Sequence, residues 1–544
     1  MSSPTEAIGT AQGAAKLDEF AAMCDDTERV QHEVLLDIVA KSRDTEWGRR
    51  YGFDEVHGVD DFRERVPVTS WDDYAEASER MQRGDTDITF AGAPDFFVLT
   101  SGTTGAAKHI PESAAAMAAK KATSDLRAQA LADAVPGLRE SGAILTFANR
   151  LVFWNSECGI PCGSASGSNL TFAPPLGPDR LAYPLSILEN VDAAEDVDYL
   201  IMRTALMRDV RAVRGNNPGR LSSLLNYADT RRDELIDDIR NGTVSASVKA
   251  DRVFLDSLQL TANPERADEL TAAIAQRGAL DAGSAWPGLR GLVFWLSGSV
   301  GRYMADLAAQ VPDDVVRFDI GYGASEGRFN VPLVVGKAAG PVALAAQFLE
   351  FIPIDGGEPL LAHQLVDGGV YQVITTSYAG LFRYDMHDLV RVDGFTGTNP
   401  NIVFESKAGD VANIAGEKMA GGSLLKELTA TLTDAGVNVR HFTVVTDYDR
   451  HGYDVCVELA ETSAPLPDDI VQRVDAALDR AGMAYPIFRG QGLIMAPRVL
   501  VMASGWQDRL YERQMRPGVS RAQIKLRLIE LEVPIPQDVT LTIG

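Results

Sequence analysis

Long apolar runs and cysteines are both scarce in this sequence. No stretch approaches the roughly 20 uninterrupted apolar residues that a membrane-spanning helix needs, and the N-terminus lacks a basic segment followed by an apolar core. We therefore expect no membrane span, no signal peptide and a cytoplasmic location. Of the four cysteines, only Cys158 and Cys162 lie close together, and no Cys or His pair nearby completes a zinc site. We expect ordinary reduced thiols.

Positive charge is scarce as well. The chain has 51 Lys and Arg residues against 76 Asp and Glu residues, which gives a formal net charge of -25. This balance argues against nucleic acid or an anionic membrane as the main partner, because both require clustered Lys and Arg. It does not argue against ATP, whose charge is neutralised locally by Mg²⁺ and backbone amides. Only 11 of the basic residues are lysines, so a lysine inside a motif is more informative than usual.

The sequence does contain strand-like runs mixed with long helical patterns, which is typical of an α/β protein. The 544 residues are 45% hydrophobic, enough for a sizeable core. We expect a large N-terminal domain of mixed β-sheets and helices. Apolar spacing predicts helices at 15–45, 114–134 and 195–240, and short apolar runs predict strands at 96–99, 143–147, 292–296, 315–320 and 370–375.

A second unit is predicted to begin after residue 408. We therefore divide the chain into an N-terminal domain, 1–408, that binds ATP and the acyl substrate, and a C-terminal lid domain, 409–544. Gly409 suits a hinge between them, because glycine absorbs large backbone rotations. The lid is expected to be a small, mobile α+β domain. Its patterns predict strands at 440–446, 453–459 and 498–502 and a helix at 468–482.

The first motif follows the predicted strand 96–99 directly and is rich in glycine and hydroxyl groups. Glycines allow the backbone to approach a phosphate closely, and hydroxyls and turn amides can bind its oxygens. The motif is not a Walker A loop, because Gly105 is followed by Ala106 rather than by Lys and Ser or Thr. A flexible turn is the alternative. The candidate phosphate ligands are Thr100, Ser101, Gly102, Thr103, Thr104, Gly105 and Lys108.

The second motif, residues 321–327, follows the predicted strand 315–320. An aromatic ring can lie against a purine base, a hydroxyl can bind a phosphate, and a carboxylate can hold Mg²⁺, a hard cation that prefers oxygen ligands. The alternative is a glycine-rich turn with one surface carboxylate. The candidates are Tyr322, Gly323, Ala324, Ser325 and Glu326.

Further stretches each offer a smaller number of candidates. Asp385 and Asp388 lie where a strand-end carboxylate can bind a ribose diol, and His387 between them is more often packed or solvated than catalytic. Lys407 lies at the proposed domain boundary and Lys525 near the C-terminus. A single lysine in such a place is usually solvated. Lys407 and Lys525 are therefore candidates only because the other motifs occur in the same chain.

Taken in order, these stretches resemble the motifs of the adenylate-forming superfamily of acyl-CoA synthetases, luciferases and peptide-synthetase adenylation domains. The closer resemblance is to the auxin-responsive acyl-acid-amido synthetase family, in its bacterial branch. Plant members have a different loop after the first Ser-Gly-Thr, and residues 416–418 resemble the non-plant branch, so plant hormones are not carried over as substrates. Short segments outside the nucleotide motifs are also similar to those of the family, so the resemblance covers nearly the whole chain. These segments are 45–48, 62–68, 235–242, 286–289 and 485–489.

The resemblance implies an ATP-dependent, AMP-forming ligase with Mg²⁺ as its metal. Such an enzyme converts a carboxylic acid into an acyl-adenylate and transfers the acyl group to a small amine or amino acid. Residues 100–105 correspond to the phosphate-binding loop and Tyr322 to the residue against adenine. Ser325 corresponds to a phosphate ligand and Glu326 to the Mg²⁺ ligand.

Three residues outside these loops also take roles from the resemblance. Asp388 occupies the place of the ribose-binding Asp, and Lys407 stands where the wider superfamily usually has an Arg that contacts the nucleotide. Lys525 resembles the lysine of the C-terminal domain that reaches the carboxylate and the α-phosphate during adenylation. With Glu326, it is our candidate catalytic residue. Closure of the C-terminal domain would shield the acyl-adenylate from water.

Several alternatives stay open. The acceptor can be the thiol of CoA or of a carrier, or another nitrogen nucleophile. A degenerate relative without turnover is disfavoured, because Glu326, Asp388 and Lys525 are all present. A metal-dependent hydrolase is disfavoured, because no His-x-x-x-His or carboxylate-His cluster occurs.

The acid itself is not identified by the sequence. Aromatic residues that can line an acyl pocket are more often part of the plain core. For the oligomeric state we expect a monomer or a weak dimer. The aromatic candidates are Trp154, Trp295 and Phe329, together with Phe153 and Phe294.

Overall fold

The described residues of the computed structural model fold into two compact units. One comprises residues up to 386 together with 390–404, and the other comprises 387–389 together with 405–544. The predicted mixed α/β architecture with a separate C-terminal domain is confirmed. The structure describes residues 11–544 except 100–107, 136, 139–140, 173–176, 298–303, 305–306, 408–410, 413, 415–418, 461–464, 483–484, 491–493, 515–525, 527 and 531–537.

Helices make up much of the N-terminal unit. The predicted helix 15–45 is two helices separated at Asp25 and Asp26, whereas the predicted helix 114–134 is continuous. Among the described helices, none combines the length and the apolar character that crossing a membrane requires. The helices are α1 (Ala11–Cys24), α2 (Thr27–Ser42), α3 (Glu46–Tyr51), α4 (Val59–Arg65), α5 (Trp71–Gln82), α6 (Ala114–Ala134), α7 (Ala165–Phe172), α8 (Ser186–Asn190), α9 (Ala194–Ala205), α10 (Gly219–Thr230), α11 (Arg232–Asn241), α12 (Arg252–Ser257), α13 (Pro264–Arg277) and α14 (Ala282–Ala285).

A parallel four-stranded sheet lies at the centre of this architecture. Its strands are ordered β3-β6-β7-β8, and every neighbouring pair is parallel. One face packs on α6, where Leu131 and Val135 meet Ile144, Ala212 and Val293. The opposite face packs on the helices α9 to α14. The strands are β3 (Ala143–Thr146), β6 (Val210–Arg214), β7 (Gly291–Phe294) and β8 (Val316–Asp319).

The predicted helix 195–240 is wrong in its middle, because β6 lies within it. Val210, Ala212 and Val213 are buried on both faces of the sheet, and a short run that is apolar on both faces does not show the alternation of a half-exposed strand. The C-terminal end of the predicted helix 195–240 agrees with the end of α11 at Asn241. Gly242 ends α11 with φ 73, a left-handed conformation that suits glycine.

Two further sheets complete the N-terminal unit. One has the order β2-β1-β5-β4 and the other the order β11-β10-β12-β13-β14-β9. The first consists of β1 (Phe96–Leu99), β2 (His109–Glu112), β4 (Val152–Asn155) and β5 (Pro161–Gly163). The second consists of β9 (Gly340–Pro341), β10 (Gln347–Pro353), β11 (Leu360–Leu361), β12 (Val370–Ser377), β13 (Tyr384–Thr396) and β14 (Asn399–Lys407).

The C-terminal unit is a five-stranded sheet with helices, and it contains the predicted β-β-α-β order. Its strand order is β20-β17-β18-β19-β21, beside a two-stranded pair of β15 and β16. The strands are β15 (Val411–Ala412), β16 (Met419–Ala420), β17 (Val439–Asp447), β18 (Gly452–Leu459), β19 (Arg498–Met502), β20 (Ile529–Glu530) and β21 (Val539–Ile543). The helices are α15 (Gly421–Asp434), α16 (Ile470–Ala481), α17 (Tyr485–Gly490) and α18 (Trp506–Gln514).

A buried ion triad fixes the turn that leads into β13. The Arg383 guanidinium donates from Nε to Glu350 Oε2 at 2.9 Å and from Nη1 to the carbonyl of Val66 at 2.8 Å. Arg63 Nε donates to Glu350 Oε1 at 2.8 Å. Arg383 has φ 46, an uncommon conformation for a side chain larger than glycine. The triad therefore sets the direction of the following residue, Tyr384.

We predict that Glu350→Gln lowers the free energy of unfolding by about 3 kcal/mol, because two guanidinium groups lose their buried counter-charge. The matched control is Glu33→Gln on α2, which removes the exposed partner of Arg29 at 2.9 Å and should cost under about 0.5 kcal/mol. Urea unfolding of both variants and the unaltered protein measures the difference. Equal losses in the two variants would contradict the importance of the buried triad.

Candidate active site

The carboxyl ends of the four parallel strands meet at one edge of the central sheet. Phe147 follows β3, Arg214 ends β6, Trp295 follows β7 and Gly321 lies just after β8. Ligands of open α/β sheets bind outside this edge. Residues 321–327, which the sequence analysis selected, begin here.

A buried carboxylate holds the start of this segment. Asp319 accepts hydrogen bonds from the backbone N–H groups of Leu296 at 2.7 Å and Gly321 at 2.6 Å. Burial raises the pKa of Asp319 to about 6, although these hydrogen bonds and Arg127 favour its charged form. Gly321 has φ 87, and a Cβ at this position would lie 2.6 Å from the Arg127 guanidinium. Only glycine fits here.

Tyr322 packs against two other aromatic rings. Its ring stacks on Phe329 with centroids 4.4 Å apart and lies 5.4 Å from the ring of Phe404. Its carbonyl accepts from Arg127 Nη2 at 2.9 Å, and its N–H donates to Asn330 Oδ1 at 2.7 Å. Tyr322 is 6% exposed, so a base that lies against it meets a narrow surface of a fixed ring.

A buried lysine holds the Ser325 backbone. Lys120 Nζ donates to the Ser325 carbonyl at 2.5 Å and also forms a short ion pair with Glu112. Burial lowers the pKa of Lys120, while the charges of Glu112 and Glu326 oppose this effect. Glu112 is 2% exposed. Ser325 and Glu326 keep part of their surface exposed, so the loop can present a hydroxyl and a carboxylate.

Arg328 holds the same segment from its other end. Its Nη1 donates to the carbonyls of Ala324 at 2.7 Å and Gly327 at 2.9 Å. Burial lowers the pKa of Arg328, against the attraction of Glu112. Together with the bonds described above, four carbonyls of residues 322–327 accept hydrogen bonds from buried cations.

Mg²⁺ fits this loop only with help from the nucleotide. Among the described residues, no group of three or more His, Cys, Asp or Glu side chains could hold a metal ion. Magnesium commonly binds through one or two carboxylates together with substrate phosphates and water. A partly exposed Glu326 in a loop that can meet phosphate satisfies that requirement.

The other predicted nucleotide ligands belong to other elements of the fold or lie outside the described residues. Lys108 Nζ donates to Tyr384 Oη at 3.0 Å and lies 5.9 Å from the Trp71 ring centroid. The backbone of Lys407 ends β14. Residues 100–105 and Lys525 lie outside the described part of the chain.

Asp388 lies in β13 and is 2% exposed. His387, just before it, has φ 49. A left-handed backbone at a residue other than glycine is uncommon and is found more often at functional sites than elsewhere. The surroundings of Asp388 therefore suit a residue with a fixed position, and its role in ribose binding stays a prediction.

The three aromatic pocket candidates occupy different places. Trp295 lies at the carboxyl edge, where its Nε1 donates to the Gly321 carbonyl at 2.9 Å. Trp154 is 45% exposed in β4, which belongs to a different sheet. Phe329 has no exposed surface and stacks on Tyr322. Their roles in acid binding stay predictions, and both Trp295 and Phe329 contact residues 321–327.

The cations around the loop were missed by the sequence analysis. Lys120 and Arg127 were hidden in an alanine-rich helix, and Arg328 lies two residues beyond Glu326. The low number of lysines in the chain was the one feature of the sequence that could have indicated a functional role for Lys120. Arg214 was missed because its strand was taken for helix.

Comparison with known proteins identifies one family along the chain. The GH3 family N-terminal domain matches residues 16–316, the GH3 family central domain matches 340–407, and the GH3 family C-terminal domain matches 423–531. The chain is 25% identical over 452 residues to 4-substituted benzoates-glutamate ligase GH3.12 of Arabidopsis thaliana, covering 77% of this chain and 76% of the relative. It is 24% identical over 560 residues to jasmonoyl--L-amino acid synthetase JAR6 of Nicotiana attenuata, covering 94% and 92%.

Solved structures agree on the fold. The acyl acid amido synthetase AtGH3.15, solved with 2,4-DB, superposes with a TM-score of 0.81 at 19% identity and 97% coverage of both chains. A 2-hydroxyisobutyryl-CoA ligase superposes with a TM-score of 0.51 at 14% identity, covering 96% of this chain and 90% of the ligase. The first family model alone spans more than half of the chain. This protein therefore belongs to the GH3 family.

Proposed function

We propose that this protein uses ATP to convert a carboxylic acid into an acyl-adenylate and then transfers the acyl group to an amine or amino acid, forming an amide. The observation that carries this proposal is the 321–327 loop of a GH3 chain, held by buried cations at the carboxyl edge of a parallel sheet. One curated relative is a glutamate ligase and another is an amino acid synthetase. Their names support an amino acid as the acceptor.

The reaction requires no nucleophilic side chain. A carboxylate oxygen of the acid attacks the α-phosphorus of ATP, the bond to the pyrophosphate oxygen breaks, and pyrophosphate leaves. The amine nitrogen then attacks the acyl carbon, the bond to the AMP oxygen breaks, and the nitrogen loses a proton. The protein contributes positioning and charge neutralisation, which can supply most of the rate.

The described residues have distinct roles in this proposal. Tyr322 lies against adenine, the Ser325 hydroxyl binds a phosphate oxygen, and Asp388 binds the ribose. Glu326 would hold Mg²⁺, which when bound supplies positive charge to the phosphate oxygens. Residues 100–105, with Lys108, bind the phosphates.

The division of labour between domains is also a proposal. Residues 1–408 bind ATP and the acid, and residues 409–544 form a mobile lid that brings Lys525 to the carboxylate and α-phosphate. Lys407, beside the proposed hinge at Gly409, contacts the nucleotide. We further propose that the protein belongs to the non-plant branch, is cytoplasmic, and is a monomer or weak dimer. Identities of 24–25% to the plant relatives named above support the separate branch.

The function is tested by pyrophosphate release from ATP over a panel of carboxylic acids. Acids that release pyrophosphate are then incubated with amino acids, other amines and CoA, and mass spectrometry identifies the product. An amide product supports the proposal. A thioester formed in preference to any amide would favour an acyl-CoA or carrier-thiol ligase, and no pyrophosphate with any acid would contradict adenylation.

We predict that Glu326→Gln keeps the fold and lowers adenylation at least about 10-fold, because a Mg²⁺ ligand is lost. The loss should be greatest at subsaturating Mg²⁺ and should shrink as the ion is raised. Glu79→Gln on α5, an exposed carboxylate, is the control. Pyrophosphate release that is unchanged at low Mg²⁺ would remove Glu326 from the metal site.

We predict that Lys120→Met lowers adenylation at least about 10-fold and also destabilises the fold, because Ser325 loses its donor and Glu112 stays buried without a cation. In the Lys120→Met/Glu112→Gln double variant, stability should recover while the rate stays low. Lys121→Met, which removes only a surface partner of Asp125, is the control. Recovery of the rate together with stability would show that Lys120 serves the fold alone.

We predict that Lys525→Ala lowers adenylation about 100-fold and leaves transfer from a supplied acyl-adenylate largely intact. The ammonium would neutralise charge that builds on the α-phosphate, and removing one such contact costs roughly 3 kcal/mol. The second step develops its charge at the acyl carbon instead. The two half-reactions are measured separately, and equal losses in both, or no loss in either, would contradict the assigned role.

A further inference from the structure

Arg214 lies at the carboxyl edge on the face of the central sheet that is covered by α6. In β6 it is paired in register with Thr146 of β3 and with Val293 of β7. Side chains alternate along a strand, so Arg214 lies on the same face as Ala212, which packs with Leu131 and Val135. Trp295, the next residue after β7, lies at this edge beside it.

The Arg214 guanidinium has no hydrogen bond or ion pair with any residue that the structure describes. In contrast, Arg127 and Arg328 donate to backbone carbonyls, and Lys120 pairs with Glu112. Burial and the neighbouring charge of Arg328 lower the pKa of Arg214 to about 10. A half-buried guanidinium in this position lacks an anion.

A second polar group lacks a partner at the same place. The Thr146 side chain is 5% exposed, and its hydroxyl oxygen makes no hydrogen bond within the described residues. A buried hydroxyl without a partner costs about 1–3 kcal/mol. Thr146 and Arg214 are paired in register across β3 and β6, so their side chains leave the same face of the sheet.

The strands that carry this pair are separated from β8 by one strand or more, since β6 is second and β3 third from β8 in the sheet. Neighbouring strands lie about 4.8 Å apart, so the backbone of Arg214 lies about 10 Å, and that of Thr146 about 14 Å, from β8, where residues 321–327 begin. The reacting carboxylate also loses its charge when it becomes a mixed anhydride. An anion that keeps its charge beside Arg214 through both half-reactions must therefore be a group other than the reacting carboxylate.

We propose that Thr146 and Arg214 bind a second carboxylate of the acid substrate, so that this enzyme activates dicarboxylic acids at one end and holds them at the other. The inference rests on the proposed adenylation. The hydroxyl supplies one donor, and the guanidinium supplies two parallel donors that match the geometry of a carboxylate.

The test compares pyrophosphate release with paired acids on one skeleton: hexanoate with adipate, and benzoate with terephthalate. The expected result is a higher kcat/KM for at least one dicarboxylate than for its monocarboxylate. Arg214→Leu should lower that ratio about 100-fold, and Arg214→Lys should retain part of it. The control, Arg211→Leu, changes an arginine of the same strand that pairs with Asp209 and should leave the ratio unchanged.

Thr146→Val separates binding from folding. Because it removes a hydroxyl without a partner, it should leave the melting temperature unchanged or raise it while lowering the ratio about 10-fold. The inference is overturned if no dicarboxylate is preferred, or if Arg214→Leu lowers kcat/KM equally for both members of a pair. If Arg214→Leu fails to fold, the inference is tested by comparing the ratio of kcat/KM for a dicarboxylate and its monocarboxylate between the unaltered enzyme and Thr146→Val. An equal ratio in these two proteins would overturn it. Pyrophosphate release from no acid at all would instead contradict the adenylation.

Discussion

The active-site architecture depends on the binding of backbone carbonyls of residues 322–327 by buried cations. Lys120 and Arg127 reach this loop from α6, and Arg328 reaches it from the loop itself. Burial is costly for these groups and lowers the pKa of Arg127 to about 9. In return, the carbonyl oxygens of the loop have hydrogen-bond donors, and the path of its backbone is fixed.

The scaffold that places these cations is the contact between α6 and the central sheet. Leu131 and Val135 fix the helix on the sheet, and the polar side of the same helix then lies over the carboxyl edge. Gly321 allows Arg127 to approach, because a Cβ there would overlap the guanidinium. Packing and polar chemistry thus depend on each other, since a shift of α6 would move every donor that it supplies.

Much of the fold and the main loop could be predicted from sequence, because both leave local patterns. Helix α6, the strands before each motif and the 321–327 loop were found from apolar spacing and glycine content. The strand β6 was missed, since a run buried on both faces lacks alternation. Lys120 and Arg127 were missed for a different reason: their partners lie 205 and 195 residues away along the chain, and no local pattern records such contacts.

We infer that residues 321–327 and the adjoining carboxyl edge bind the acyl-adenylate. A crystal structure with an acyl-sulfamoyl adenosine, a stable analogue of that intermediate, tests it most directly. We expect the sulfamate to lie beside Ser325 and Glu326 and the adenine beside Tyr322, with the bonds from Lys120 and Arg328 to the loop carbonyls intact. An analogue bound elsewhere, or a loop that exchanges these carbonyl bonds for contacts to the ligand, would contradict it.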